Sequence, residues 1–209
     1  MGALPDALRR ALAGPLPGLD AQLRMAPRFR PQPSDEALDG LRSAAALLLV
    51  YPHNGLWHVP LTLRGSRLRH HTGQVSLPGG RIDPGESVEG AALREAQEEV
   101  AIDPATVEVL RQLTPVPIAA SGHLLHPVLG LASQRPAFLV AEPEVERLIE
   151  VPVARLQDPD LVRWEQRTRS LPPHDLMDVP YFALDDAHIW GATAMVLAEF
   201  LALLGELDV

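Results

Sequence analysis

Gly80-Arg81-Ile82-Asp83-Pro84-Gly85-Glu86, followed after seven residues by Arg94-Glu95-Ala96-Gln97-Glu98-Glu99, is the stretch on which the reading of this 209-residue chain turns. Glu95, Glu98 and Glu99 stand at i, i+3 and i+4, so a helix places three carboxylates on one face. Like charges at that spacing repel, and they fall near the end of the expected helix, where the macrodipole disfavours negative charge. Two local rules broken together point to a functional site. A hard divalent cation removes both penalties, because such ions take carboxylate oxygens. Oxygen-only ligation selects Mg²⁺, Mn²⁺ or Ca²⁺ over zinc, and no EF-hand-like run of alternating Asp and Asn is present. The competing interpretation of the three glutamates alone is a solvated charged face. The preceding Gly79-Gly80 step and the awkward placement of the charges favour metal binding.

Working outward, residues 44–51 are a continuous apolar run of strand length, followed by His53-Asn54-Gly55 and a second run at 56–63. Asn-Gly between two such runs predicts a hairpin. Residues 64–77 form a polar, glycine-bearing loop that enters a strand, and 79–85 a turn-rich connector. The helix starts near Ser87 as N-cap, carries Glu89 in its first turn and ends about Ala101, where Asp103-Pro104 stops it. Strands are expected at 107–113, 124–131, 137–140 and 148–151. Residues 158–181, with Pro159, Pro172, Pro173 and Pro180, read as mostly loop, and 187–204 as a closing helix. Residues 1–40 are set apart as an N-terminal arm, with a short helix at 5–12 and then repeated prolines. The arm either wraps the domain of residues 41–209 or bridges to another subunit. Hairpins with few helices predict an α+β sandwich.

Composition narrows the functional classes. A net charge of −9 argues against an electrostatic nucleic-acid binder, which needs a basic face. All 18 basic residues are arginine, so there is no lysine nucleophile and no P-loop lysine. Zero cysteines exclude disulfides, thiol catalysis and cysteine-held zinc, and fit a cytoplasmic protein. The N-terminus lacks the layout of a signal peptide. The apolar stretch at 189–204 is interrupted by Glu199 and falls short of the roughly 18–20 residues of a membrane span, so no membrane association is expected.

The central stretch resembles the Nudix box, G-x5-E-x7-R-E-U-x-E-E-x-G-U, where U is a bulky aliphatic residue. Gly80, Glu86, Arg94, Glu95, Glu98, Glu99 and Ile102 fall in register. Ala96 is a small occupant of the first U position, and Ala101 replaces the last glycine, for which a different helix exit is expected. The resemblance implies a Nudix-type α/β/α sandwich with a mixed sheet, a catalytic loop–helix–loop, the N-terminal arm and a C-terminal helix. It also implies hydrolysis of a nucleoside diphosphate linked to another moiety, assisted by Mg²⁺ or Mn²⁺. Glu95 and Glu99, one turn apart, are assigned as the principal ligands. Glu98 is a further ligand or the group that deprotonates water. Arg94 is assigned as an orienting partner for a carboxylate such as Glu86, itself a supporting residue.

A second resemblance lies just upstream. Residues 61–80 are similar to the pattern L-L-T-x-R-(S/A)-x3-R-x3-G-x3-F-P-G-G that precedes the box in coenzyme A pyrophosphatases. Thr62, Arg64, Arg69, Gly73, Pro78, Gly79 and Gly80 match, whereas Gly65 and Leu77 depart from it. Val179-Pro180-Tyr181-Phe182 and Ile189-Trp190-Gly191-Ala192-Thr193-Ala194 also look like the C-terminal part of that subfamily. Coenzyme A carries a 3′-phosphate besides its pyrophosphate, and Arg64, Arg67 and Arg69 with His70 and His71 make a local basic patch. The expected substrate-binding set is Arg64, Arg69, Gly73, Gln74, Gly79 and Gly80. The expected reaction cleaves coenzyme A, and by extension its derivatives, to 3′,5′-ADP and 4′-phosphopantetheine. The alternatives are another small nucleoside diphosphate derivative such as ADP-ribose, or a binding module without catalysis, against which the three intact glutamates speak. The oligomeric state is left open, with a homodimer among the options.

Overall fold

The computed structural model describes residues 3–28, 38, 40–65, 74–169 and 174–205. Its elements in chain order are α1 (Ala3–Leu12), α2 (Gly18–Gln22), a 3-10 turn (Leu23–Met25), β1 (Arg42–His53), β2 (Leu56–Arg64), β3 (Val75–Ser76), β4 (Gly79–Arg81) and α3 (Val88–Val100). There follow β5 (Val107–Gln112), β6 (Val116–Ile118), β7 (His123–Ala132), β8 (Val145–Pro152), α4 (Val153–Leu156), β9 (Val162–Thr168), β10 (Leu176–Leu184), β11 (Ala187–Trp190) and α5 (Gly191–Gly205).

β1 is the spine. It runs parallel to β7 on one side, and on the other pairs antiparallel with β4 through its first half and with β2 through its second. β3 and β8 extend β2, while β5 and β6 extend β7. The turn from β1 to β2 has Asn54 and Gly55 at φ 48° and 80°, the two positive dihedrals that a tight two-residue hairpin needs. Side chains alternate along β1. Ala45, Leu47, Leu49 and Tyr51 face Ala91, Ala92, Ala96 and Val100 of α3. Ala46, Leu48 and Val50 face a second core built from α1 and α5. The mixed sheet thus lies between helices, as an α/β/α sandwich.

The described residues of the segment expected to be an arm pack against the rest of the chain. Leu4, Leu8 and Leu12 line one side of α1 and enter the second core. Arg111 Nη1 donates to the carbonyls of Leu12 and Gly14, satisfying acceptors that a helix end leaves open. Gln22 Nε2 donates to Thr114 O and to the fully buried Glu199 of α5, each at 2.8 Å. Glu199 also accepts from the Thr114 hydroxyl at 2.7 Å, so the buried carboxylate has the hydrogen bonds its burial requires.

Three expectations are corrected. Residues 158–181 are not mostly loop: β9 and β10 form a three-stranded sheet with β11. Pro180 is tolerated because β11 ends opposite Tyr181, leaving an open edge on which the Asp178 carbonyl accepts from Arg28 N. The closing helix begins at Gly191, because residues 187–190 are β11; a short apolar run does not tell strand from helix. Residues 137–140 are not a strand. Their neighbourhood is an irregular strap across the end of α3, where Leu139 N donates to Val100 O and Ala141 N to Glu99 O.

Candidate active site

The connector and the helix are locked together before any ligand is considered. Ser87 caps α3, its hydroxyl accepting from Gly90 N at 3.0 Å. At the other end Ala101 takes the left-handed conformation, φ 57°, with Ala101 N bonded to Gln97 O and Ile102 N to Ala96 O. The helix therefore leaves by the cap a glycine would make, and the different exit expected from alanine does not occur. The backbone bonds and full burial of Ile102 offset the strain, on the order of 1 kcal/mol for a non-glycine residue.

Gly79 and Gly80 pair with Ala46 and Ala45 of β1. A Cβ on Gly79 would lie 2.4 Å from the Ala45 carbonyl oxygen. One on Gly80 would lie 2.4 Å from the carboxylate of Glu95. The first glycine lets the strand close, and the second makes room for the Glu95 carboxylate. Gly79 N donates to Glu99 Oε2 at 3.2 Å, so both glycines touch the helix glutamates.

Arg94 is the hub. Its Nε and Nη2 clamp Glu86 at 3.0 and 3.1 Å, Nη2 also reaches Arg81 O at 2.9 Å, and Nη1 reaches Glu95 at 2.9 Å and Glu98 at 3.2 Å. All five guanidinium donors are used. The clamp holds Glu86 below the ordinary carboxylate range, helped by Asp83 N. Burial pushes Glu95 up, opposed by Arg94. Burial pushes Glu99 to about 7, opposed by Arg64 and Gly79 N and reinforced by Glu95 and Glu144. Side-chain exposure grades the three: 6% for Glu99, 17% for Glu95 and 60% for Glu98.

Arg64 comes to the same row from β2. The β2–β8 register slips between Leu63 and Arg64, an irregularity of the kind that re-aims side chains beside sites. Its Nη1 stands 3.9 Å from Glu99 Oε1. Its backbone N donates to Gln74 O at 3.0 Å. Gly65 N donates to Glu144 O, and a Cβ on Gly65 would lie 2.3 Å from Pro143 O, which explains glycine where the upstream pattern has Ser or Ala. Thr62 is fully buried and its hydroxyl lies 3.1 Å from Ser76 Oγ, tying β2 to β3. Arg69 and Gly73, with Arg67, His70 and His71, lie outside the described residues.

Glu144 was not singled out from the sequence. It is exposed on the strap and close enough to raise both Glu95 and Glu99. Its only sequence signal is an acidic run, Glu142, Glu144 and Glu146, with no distinctive spacing.

The donor set fits a hard divalent ion in kind, being oxygen only. Among the described residues no three His, Cys, Asp or Glu side chains are gathered closely enough to hold one ion; Arg94 holds Glu95 and Glu98, while Glu99 takes its hydrogen bond from Gly79 N and faces Arg64 at 3.9 Å. Glu95 and Glu99 are the residues that would hold such an ion, with Glu98 and Glu144 at the rim. A cavity of about 700 Å³ lies elsewhere, between Pro5, Arg9, Trp57, Glu108 and Leu131. Its two charged residues are paired with each other, so it carries no comparable chemistry.

A mixed sheet carrying a glycine step, a capped helix and a row of glutamates is the frame of a Nudix-type hydrolase. The NUDIX domain model matches residues 40–171, and the chain belongs to that family. Nudix hydrolases act on small nucleoside diphosphate derivatives and generally use divalent ions such as Mg²⁺ or Mn²⁺. The uncharacterized Nudix hydrolase NudL of Citrobacter koseri is 35% identical over 189 residues, covering 85% of this chain and 90% of that protein. NudL of Escherichia coli SMS-3-5 is 42% identical over 129 residues, 61% of this chain and 65% of its own length. The Nudix hydrolase RenU of M. smegmatis, at 18% identity and TM-score 0.52, covers 81% of this chain and 89% of its own. A MutT/nudix family protein of Enterococcus faecalis, at 13% identity and TM-score 0.53, covers 99% and 76%. These two structures show the fold alone. No helix among the described residues is long and apolar enough to cross a membrane.

Proposed function

We propose that this chain is a metal-dependent coenzyme A diphosphatase that releases 3′,5′-ADP and 4′-phosphopantetheine, with residues 41–209 as the hydrolase domain. The observation that carries the reading is Arg64, from the upstream pattern, standing 3.9 Å from the most buried helix glutamate. Selection of an anionic substrate and its chemistry then share one locus. Glu95 and Glu99 hold the divalent ion. When bound, that ion neutralises pyrophosphate charge and acidifies water. Arg64 directs its guanidinium at a phosphoryl oxygen, a match in geometry as well as charge. Water adds to one phosphorus, the bridging P–O bond breaks, and the departing phosphate takes the electron pair. The water proton passes to an exposed carboxylate at the rim, Glu98 or Glu144. Arg94 keeps Glu95 and Glu98 in place throughout.

The test is mass-spectrometric product analysis with Mg²⁺ and, in parallel, coenzyme A, ADP-ribose, dinucleoside polyphosphates and dNTPs. Release of 3′,5′-ADP and 4′-phosphopantetheine in clear preference is expected. A large preference for ADP-ribose would replace the substrate and leave the family intact.

A further inference from the structure

Among the described residues, Arg64 differs from Arg94, the other guanidinium at these carboxylates, in how little holds its head. Its Nε is buried with no hydrogen-bond partner among the described residues, a costly condition for any donor. Its nearest carboxylate oxygen is 3.9 Å away, beyond the roughly 2.7–2.9 Å of a charge-assisted hydrogen bond. What fixes the residue is backbone: its own N on Gln74 O and the next N on Glu144 O. The charge is thus delivered to Glu99 without being consumed there. A guanidinium and a hard cation at one carboxylate repel each other, and Glu99, facing both, is almost fully buried. A phosphate group, by contrast, presents paired oxygens that match the guanidinium fork.

We propose that Arg64 is a built-in competitor for the ion carboxylate Glu99, withdrawn when a substrate phosphate takes its guanidinium, so that divalent ion and pyrophosphate bind cooperatively. The proposal rests on the reading of Glu99 as an ion-holding carboxylate and of the substrate as a pyrophosphate, whichever pyrophosphate it is. By thermodynamic reciprocity, whatever the ion gains from the phosphate the phosphate gains from the ion. Arg64 in this sense sets the coupling between the two.

The experiment is Mn²⁺ binding followed by electron paramagnetic resonance, without substrate, on the full chain and on Arg64→Met, Arg64→Gln and Arg64→Lys. The two neutral variants are expected to bind Mn²⁺ roughly threefold to tenfold more tightly, as a half-exposed charge allows. Arg64→Lys keeps the charge and is expected to stay near the parent. Unchanged or weaker Mn²⁺ binding in both neutral variants, with native circular dichroism, would overturn the proposal. Equal tightening in Arg64→Lys would overturn it too, since charge would not be the cause. If Glu99→Gln leaves Mn²⁺ affinity unaltered, the ion reading itself fails and takes this proposal with it. Preference for ADP-ribose over coenzyme A changes the substrate and leaves the Mn²⁺ series standing.

Discussion

Arg94 and Arg64 flank the same row of glutamates and are bound in opposite ways. Arg94, from α3, spends five donors on Glu86, Glu95, Glu98 and the Arg81 carbonyl. Arg64, from β2, faces Glu99 at 3.9 Å with a buried Nε unpartnered. A guanidinium with every donor matched is a strut, because moving it breaks several charge-assisted bonds at once. One with donors to spare is the group a ligand can recruit. The loop–helix end of the site is therefore built for rigidity, and the β2 end for exchange.

Changes at the most buried glutamate should separate chemistry from scaffolding most sharply. Glu99→Gln keeps the shape and is expected to lower kcat on the order of 10²–10⁴-fold with unchanged circular dichroism; near-parental turnover would mean the ligands are misassigned. The same variant has a pH signature in chelator. Burial raises Glu99 in the folded protein from 4.5 to about 7, so the folded state holds this proton more tightly than the unfolded one. Its contribution to stability is full below pH about 4.5 and is lost as pH rises through about 7. Melting temperatures across that window should fall less steeply in Glu99→Gln than in the parent.

Arg94→Met removes the strut. A loss of about 1–3 kcal/mol in chemical denaturation and a fall in kcat of roughly tenfold to a hundredfold are expected. Normal kcat with reduced stability would confine Arg94 to folding. The glycine pair should split in the same way. Gly79→Ala meets strand backbone and is expected to cost about 1–3 kcal/mol of stability. Gly80→Ala meets the movable end of Glu95 and should cost roughly tenfold in kcat with a smaller loss of stability. Identical profiles for the two would contradict the packing described for them. The smallest effect is Ala101→Gly, expected to raise stability by about 0.5–1 kcal/mol by relieving a left-handed alanine.

The parts of this fold that sequence makes legible are those governed by local rules. Asn54-Gly55 specifies its hairpin, Ser87 its cap, and the spacing of Glu95, Glu98 and Glu99 their common face. The exit at Ala101 is not legible locally, because it is set by burial of Ile102 as well as by the intrinsic preference of alanine. The sheet of β9, β10 and β11 was missed because Pro172, Pro173 and Pro180 read as breaks, and only tertiary pairing reveals the open edge that accommodates Pro180. Glu144 was invisible for a related reason. It comes near the carboxylates because the Leu139 and Ala141 amides tie the strap to the last carbonyls of α3, a pairing that no local pattern encodes.

The central claim is most directly tested by a crystal structure of the protein with Mn²⁺ and a non-hydrolysable coenzyme A analogue. Mn²⁺ is expected on Glu95 and Glu99, with Arg94 unmoved and the Arg64 guanidinium forked onto a phosphate oxygen pair. Mn²⁺ bound away from both glutamates, or Arg64 still facing Glu99 with the phosphates beyond its reach, would contradict it.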